Sequence, residues 1–152
     1  MTVEDRLKDL GLSLPETPTP AGNYVPAVRS GNMVYVSGHG PRHHDGTMIT
    51  GKVGRDLTVE EGYAAARLTM LNCLASLKAE IGDLERVQRI VKLFGMVNCT
   101  EDFDRHPEVI NGGSDLLTAL FSERGKHARS AVGMQSLPRG IAVEIEFIAE
   151  VS

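Results

Sequence analysis

The closing run Val143–Val151, VEIEFIAEV, constrains the fold more than any other stretch of the chain. Val143, Ile145, Phe147, Ala149 and Val151 fall on one side, and Glu144, Glu146, Ile148 and Glu150 on the other. Strict alternation of this kind belongs to a strand with one buried face. A buried strand face needs a sheet around it and a layer over it, so the remaining sequence must supply both.

Two helical stretches can form that layer. Thr58 followed by Glu61 is a capping box, and the pattern of Tyr63, Met70, Leu74, Leu77 and Ile81 predicts a helix over 58–81, stopped by Gly82. A second helix is expected to start at 103–107 and end near 123, with Val109, Ile110, Leu116, Leu117, Leu120 and Phe121 as its apolar residues. Strands are expected at 27–29 and 33–36, a hairpin around Ser30-Gly31-Asn32, and at 86–97, which is apolar on both faces. The residues after Arg124 read as a closing hairpin turning at Leu137-Pro138-Arg139-Gly140. A short helix over 2–10, capped by Thr2 and stopped by Gly11, precedes a proline-rich extended run over 14–21. These form a single domain, 1–152, in which residues 1–20 are an extension. The order strand, strand, helix, strand, helix, strand, strand predicts an α+β fold, a mixed sheet with two long helices on one face. The other face also carries apolar residues, which predicts an oligomer packed through its sheets.

Composition narrows the functional classes. A net charge of −4 argues against a broad nucleic-acid surface. The opening MTVEDRLKDLG has neither a basic nor an apolar leader region, and no apolar run reaches membrane-spanning length. A cytoplasmic protein with no membrane partner is therefore expected. Cys73 and Cys99 form no CxxC motif and read as two reduced thiols.

Arg129 is the residue that most suggests chemistry. It shares a strand face with Ala131 and Gly133, which would leave a shallow floor beside a guanidinium shaped to grip a carboxylate. The alternative is a salt bridge to Glu144 or Glu146 across the hairpin. With a tight turn, Arg129 would lie opposite Ile148 and Glu144 opposite Gly133, on one sheet face and about 13 Å apart. The acids of the last strand suit a solvated face, or a glutamate that holds a water for attack. His39, His43, His44 and Asp45 sit in a Gly- and Pro-rich loop without a completed ligand set, so no metal is expected. His106 and His127 stand alone. No nucleophile triad and no phosphate loop is legible, and no cofactor is implied.

Gly22-Asn23-Tyr24, Ser30-Gly31-Asn32, Val36-Ser37-Gly38, Ala128-Arg129-Ser130, Leu137-Pro138 and Val143-Glu144-Ile145-Glu146 occur in an order and spacing that resembles the RidA/YjgF family of reactive-imine deaminases. The resemblance covers the chain from Pro20 onward. It implies a chorismate-mutase-like fold, a homotrimer and ligand clefts between subunits. It also implies hydrolysis of 2-imino or enamino acids to 2-keto acids and ammonia, as in 2-iminobutanoate/2-iminopropanoate deaminases. Arg129 would then bind the substrate carboxylate, Glu144 would place the hydrolytic water and Tyr24 would line the cleft. Ser37 and Asn111 also match pocket positions. Ala131 stands where many members carry a cysteine, and His39 where glutamine is common. Competing readings are a non-catalytic trimer that binds a small carboxylate or a partner protein, and a ribonuclease. The acidic chain, with three Tyr, four Phe and no Trp, offers the last of these few phosphate contacts and stacking platforms.

Overall fold

The computed structural model describes residues 1–17, 19–20 and 22–152; Pro18 and Ala21, within the run expected to be extended, lie outside the described residues. The elements are α1 (Val3–Asp9), β1 (Ala27–Ser30), β2 (Met33–His39), α2 (Val59–Ile81), β3 (Val87–Asn98), α3 (His106–Phe121), β4 (Ala128–Met134) and β5 (Val143–Val151). Short 3-10 turns lie at Leu84–Arg86, Ser122–Gly125 and Pro138–Gly140.

Local chemistry sets the helix ends. Thr2 and Asp5 close a reciprocal capping box on α1, and Thr58 and Glu61 do the same for α2. Gly82 ends α2 at a φ of 85°, a conformation that glycine adopts without Cβ strain. The first helix is docked: Val3 and Leu7 are buried, and Arg6 Nη1 donates to the Leu120 carbonyl at 2.8 Å. Helices α2 and α3 approach closely because Gly112 has no side chain. A Cβ there would stand 2.0 Å from the Tyr63 carbonyl oxygen.

The five strands run in the order β1-β2-β5-β3-β4. All neighbours are antiparallel except β3 and β4, which are parallel. The expected closing hairpin is therefore absent: β4 and β5 flank β3 on opposite sides. The segment after β4 does not turn back on itself. It crosses the end of β3, where Thr50 bridges Ile141, the Ala142 N–H donates to the Ile49 carbonyl, and the Asn98 N–H donates to the Ala142 carbonyl. Arg139 sits at a φ of 57° in this crossing.

The register follows from this order. Arg129 pairs with Leu93, which pairs with Phe147; Glu144 pairs with Met96, which pairs with Val132. Leu93 and Phe147 are core residues under the helices. Met96 and Val132 belong to a second cluster on the open face, with Leu137, Ile141, Met48, Phe94 and Met134. Arg129 and Glu144 are therefore on opposite faces, because a one-residue change of register inverts a strand's faces. The alternation within each strand is as expected. The open face also carries the row Val28, Tyr35 and Ile148, of which Val28 and Tyr35 are about half exposed, at 49% and 47%. No helix is long and apolar enough to cross a membrane among the described residues.

Candidate active site

The arginine half of the site lies at the sheet edge, between β4 and α3. Arg129 Nη1 donates to Ser114 Oγ at 3.0 Å, and Nη2 donates to the Pro107 carbonyl at 3.2 Å. Ser114 Oγ in turn lies 2.9 Å from His127 Nε2, and His127 Nδ1 donates to the Gly125 carbonyl at 2.6 Å. With Nδ1 carrying the proton, Nε2 accepts from the serine hydroxyl, and Ser114 accepts from Arg129. Burial holds the His127 imidazole below its ordinary proton affinity; the Gly125 carbonyl opposes this and the Arg129 charge adds to it. This relay fixes the guanidinium but uses two of its five N–H donors, which leaves the fork able to take a carboxylate.

Ala131 and Gly133 do not form the expected open floor. Ala131 packs against the main core, and a Cβ on Gly133 would stand 2.5 Å from His106 Nε2. The small residues on this face make room for α3. Asn111 lies one helical turn before Ser114, and it is Ser114 that contacts Arg129.

The glutamate half lies on the other face. A Cβ on Gly38 would meet Glu144 Oε2 at 2.4 Å, so the carboxylate rests directly on the Gly38 backbone. This glycine falls in the irregular step of β2 between Val36 and His39. Glu144 is half-buried, and burial first, then the charge of Glu146, raises its affinity for a proton. Tyr24, half exposed, and Gly38 line a cavity of about 300 Å³ with Pro26, His39 and Met48. Ser37 Oγ donates to the Val25 carbonyl at 2.6 Å and so ties the tyrosine segment to β2. The backbones of Arg129 and Glu144 are two strands and three residues apart, about 14 Å, with side chains on opposite faces. One small acid cannot reach both within one chain, and the alternative, a salt bridge from Arg129 to Glu144 or Glu146, does not form among the described residues, where Arg129 bonds Ser114 and Pro107.

The histidine-rich loop does not gather a metal set. His39 is buried, with Nδ1 donating to the Ser37 carbonyl at 2.5 Å and Nε2 2.7 Å from Ser76 Oγ. His43, His44 and Asp45 are exposed, and no group of three ligating side chains forms among the described residues. Sequence reasoning missed Ser114, His127 and Gly38. The first two carry no local signal, since they meet Arg129 only through the packing of α3 on the sheet edge.

A five-stranded mixed sheet with two long helices on one face is the α+β architecture of the YjgF/chorismate-mutase-like class. The family model described as "YjgF/chorismate_mutase-like, putative endoribonuclease" matches residues 4–151, and the chain belongs to this RidA/YjgF family. Protein TCP17 of Trypanosoma cruzi is 44% identical over 99% of this chain and 94% of its own length. A crystal structure described as "a putative endoribonuclease" from Shewanella oneidensis superposes with a TM-score of 0.96 at 38% identity, covering 99% of this chain and 100% of that one. A protein of unknown function from Agrobacterium tumefaciens gives 0.91 at 45% identity, covering 99% and 92%. At greater distance, a 2-iminobutanoate/2-iminopropanoate deaminase of Dermatophagoides farinae is 30% identical over 90% of this chain and 92% of its own.

Proposed function

We propose that this protein hydrolyses 2-imino or enamino acids to 2-keto acids and ammonia, in clefts between the subunits of a homotrimer. Arg129 of one copy holds the substrate carboxylate, with Asn111 and Ser114 nearby on α3. Tyr24, Ser37 and Glu144 of the next copy supply the opposite wall. The observation that carries this reading is the separation of Arg129 from Glu144 on opposite faces of one sheet. Each half is shaped for its part of the reaction, and a second copy is what brings the halves together. The apolar open face, with Val28 and Tyr35 half exposed, supports such an assembly.

The chemistry needs no covalent nucleophile and no cofactor. Water attacks the imine carbon, its proton passes to Glu144, and the C=N electron pair moves to nitrogen. Glu144 returns that proton to nitrogen; the carbinolamine O–H then gives its proton to the nitrogen as C=O forms, and the C–N bond breaks to release ammonia. A half-buried carboxylate with raised proton affinity is a stronger base than an exposed one, which suits this step. The deaminase name of the Dermatophagoides farinae relative is consistent with it. The test is ammonia release from freshly generated 2-iminopropionate, with keto-acid binding measured in parallel. Arg129→Ala abolishes both turnover and binding. Glu144→Gln lowers turnover about 100-fold with keto-acid affinity nearly unchanged. Binding of keto acids without any turnover by the native protein would favour a non-catalytic carboxylate-binding trimer. A monomer in sedimentation equilibrium would overturn the shared cleft.

A further inference from the structure

A second cavity, about 820 Å³, has neither Arg129 nor Glu144 in its lining and is walled by Lys52, Cys99, Phe103, His106, Gly133 and Gln135, among others. At its wall, Cys99 Sγ and His106 Nε2 stand 3.5 Å apart. Three elements combine to place this pair. Cys99 follows the last residue of β3, His106 opens α3, and Gly133 in β4 leaves the space between them. A Cβ at Gly133 would lie 2.5 Å from Nε2 and 2.8 Å from Sγ, so any larger residue would break the contact. Phe103 packs edge-on against the imidazole, with ring centres 5.2 Å apart and planes at 82°. Burial pushes the Cys99 thiol up, opposed by its backbone hydrogen bond and by Lys52. The resting group is therefore a thiol beside a base, the arrangement by which a weak nucleophile is activated.

Lys52 places a free positive charge on the cavity wall. Its ammonium donates to Asn98 Oδ1 at 2.8 Å and to the Gln135 carbonyl, both neutral acceptors. The third N–H and the full positive charge stay available. Arg55, also on the wall, is paired with Asp56 at 2.9 Å, and Glu101 adds one negative charge.

We propose that Cys99 and His106 form a second reactive site, which adds the Cys99 thiol to a small α,β-unsaturated carboxylate held by Lys52. The sulfur forms a bond to the β-carbon, and the C=C electron pair moves to the α-carbon. The S–H proton passes to His106 Nε2 and from there to the α-carbon. The product is a thioether, with no net oxidation and no further reactant.

The experiment compares iodoacetate with iodoacetamide on the native protein, read by peptide mass spectrometry. Both reagents displace iodide with the same sulfur and differ in charge. Cys99 takes up one group, while Cys73, fully buried with its thiol pushed far up, takes none. The rate ratio of anionic to neutral reagent at Cys99 exceeds that of the urea-unfolded chain by about tenfold, and salt lowers it. Lys52→Met removes the preference. His106→Asn slows both reagents about tenfold or more, with an unchanged circular dichroism spectrum. Because Lys52→Met could disturb its two neighbours, the salt dependence of the native protein carries the charge argument independently. An unlabelled Cys99 in the folded protein, or a rate ratio equal to that of the unfolded chain, overturns the proposal.

Discussion

Gly38→Ala separates the position of Glu144 from its chemistry. The new methyl would stand 2.4 Å from Oε2, 3.0 Å from Cδ and 3.3 Å from Cγ of Glu144. Ordinary contact begins near 3.4 Å, so the carboxylate oxygen must retreat by about 1 Å. It can do so, because the clash is with the far end of a flexible side chain and not with backbone. Moving that side chain off its rotamer costs about 1 kcal/mol. Replacing glycine by alanine where φ is unstrained returns roughly 0.4–1 kcal/mol through the unfolded chain. Net stability is therefore nearly unchanged, and Tm stays within about 4 °C. Turnover behaves differently, since a displacement of 1 Å in a positioning group can cost about 100-fold. The assay pairs ammonia release from 2-iminopropionate with thermal unfolding and keto-acid binding. The expected result is a large loss of kcat with Tm and affinity nearly intact. Full activity in Gly38→Ala would refute the water-positioning role of Glu144. A fall in Tm of 10 °C or more would refute the claim that the side chain alone absorbs the clash.

Gly112→Ala has the opposite signature: its Cβ meets the Tyr63 backbone oxygen at 2.0 Å, so α2 and α3 must part. Unfolding should show a loss of about 3 kcal/mol or more, seen as a Tm lower by at least about 6 °C. Glu146→Gln removes the second cause of the raised Glu144 proton affinity and leaves the burial. Activity needs the carboxylate and fails as pH falls through its raised pKa, so the acidic limb of the kcat/KM profile should move to lower pH in this variant. His39 is held below the ordinary histidine range, chiefly by burial and against the pull of the Ser37 carbonyl. The unfolded chain takes up this proton near pH 6.5 and the folded chain only at lower pH, so stability is full above that point and falls as pH drops below it. Tm compared at pH 7.5 and 5.5 should show this fall, with a smaller one in His39→Gln; His127 supplies a further part.

Much of this protein was legible in its sequence. The N-cap at Thr2 and the capping box at Thr58 are contacts between residues three apart, so they need nothing from the rest of the chain. The alternation of β5 and the apolar stripe of α3 likewise report which side of each element is buried. The motif around Arg129 and Glu144 pointed to the family that the comparisons show. Which strands lie beside each other was not legible. Leu137-Pro138-Arg139-Gly140 has the composition of a tight turn, yet the chain there pairs with residues 49–51 and crosses the end of β3. Backbone hydrogen bonds are alike for every partner, so the choice falls to non-local packing. That choice put Arg129 under α3 and Glu144 on the open face. The same packing assembled the pairs that no local pattern announces: Ser114 with Arg129, Gly38 with Glu144, and Cys99 with His106. The sequence determined the faces of each strand and helix, because periodicity is local; only the tertiary structure decided which faces meet.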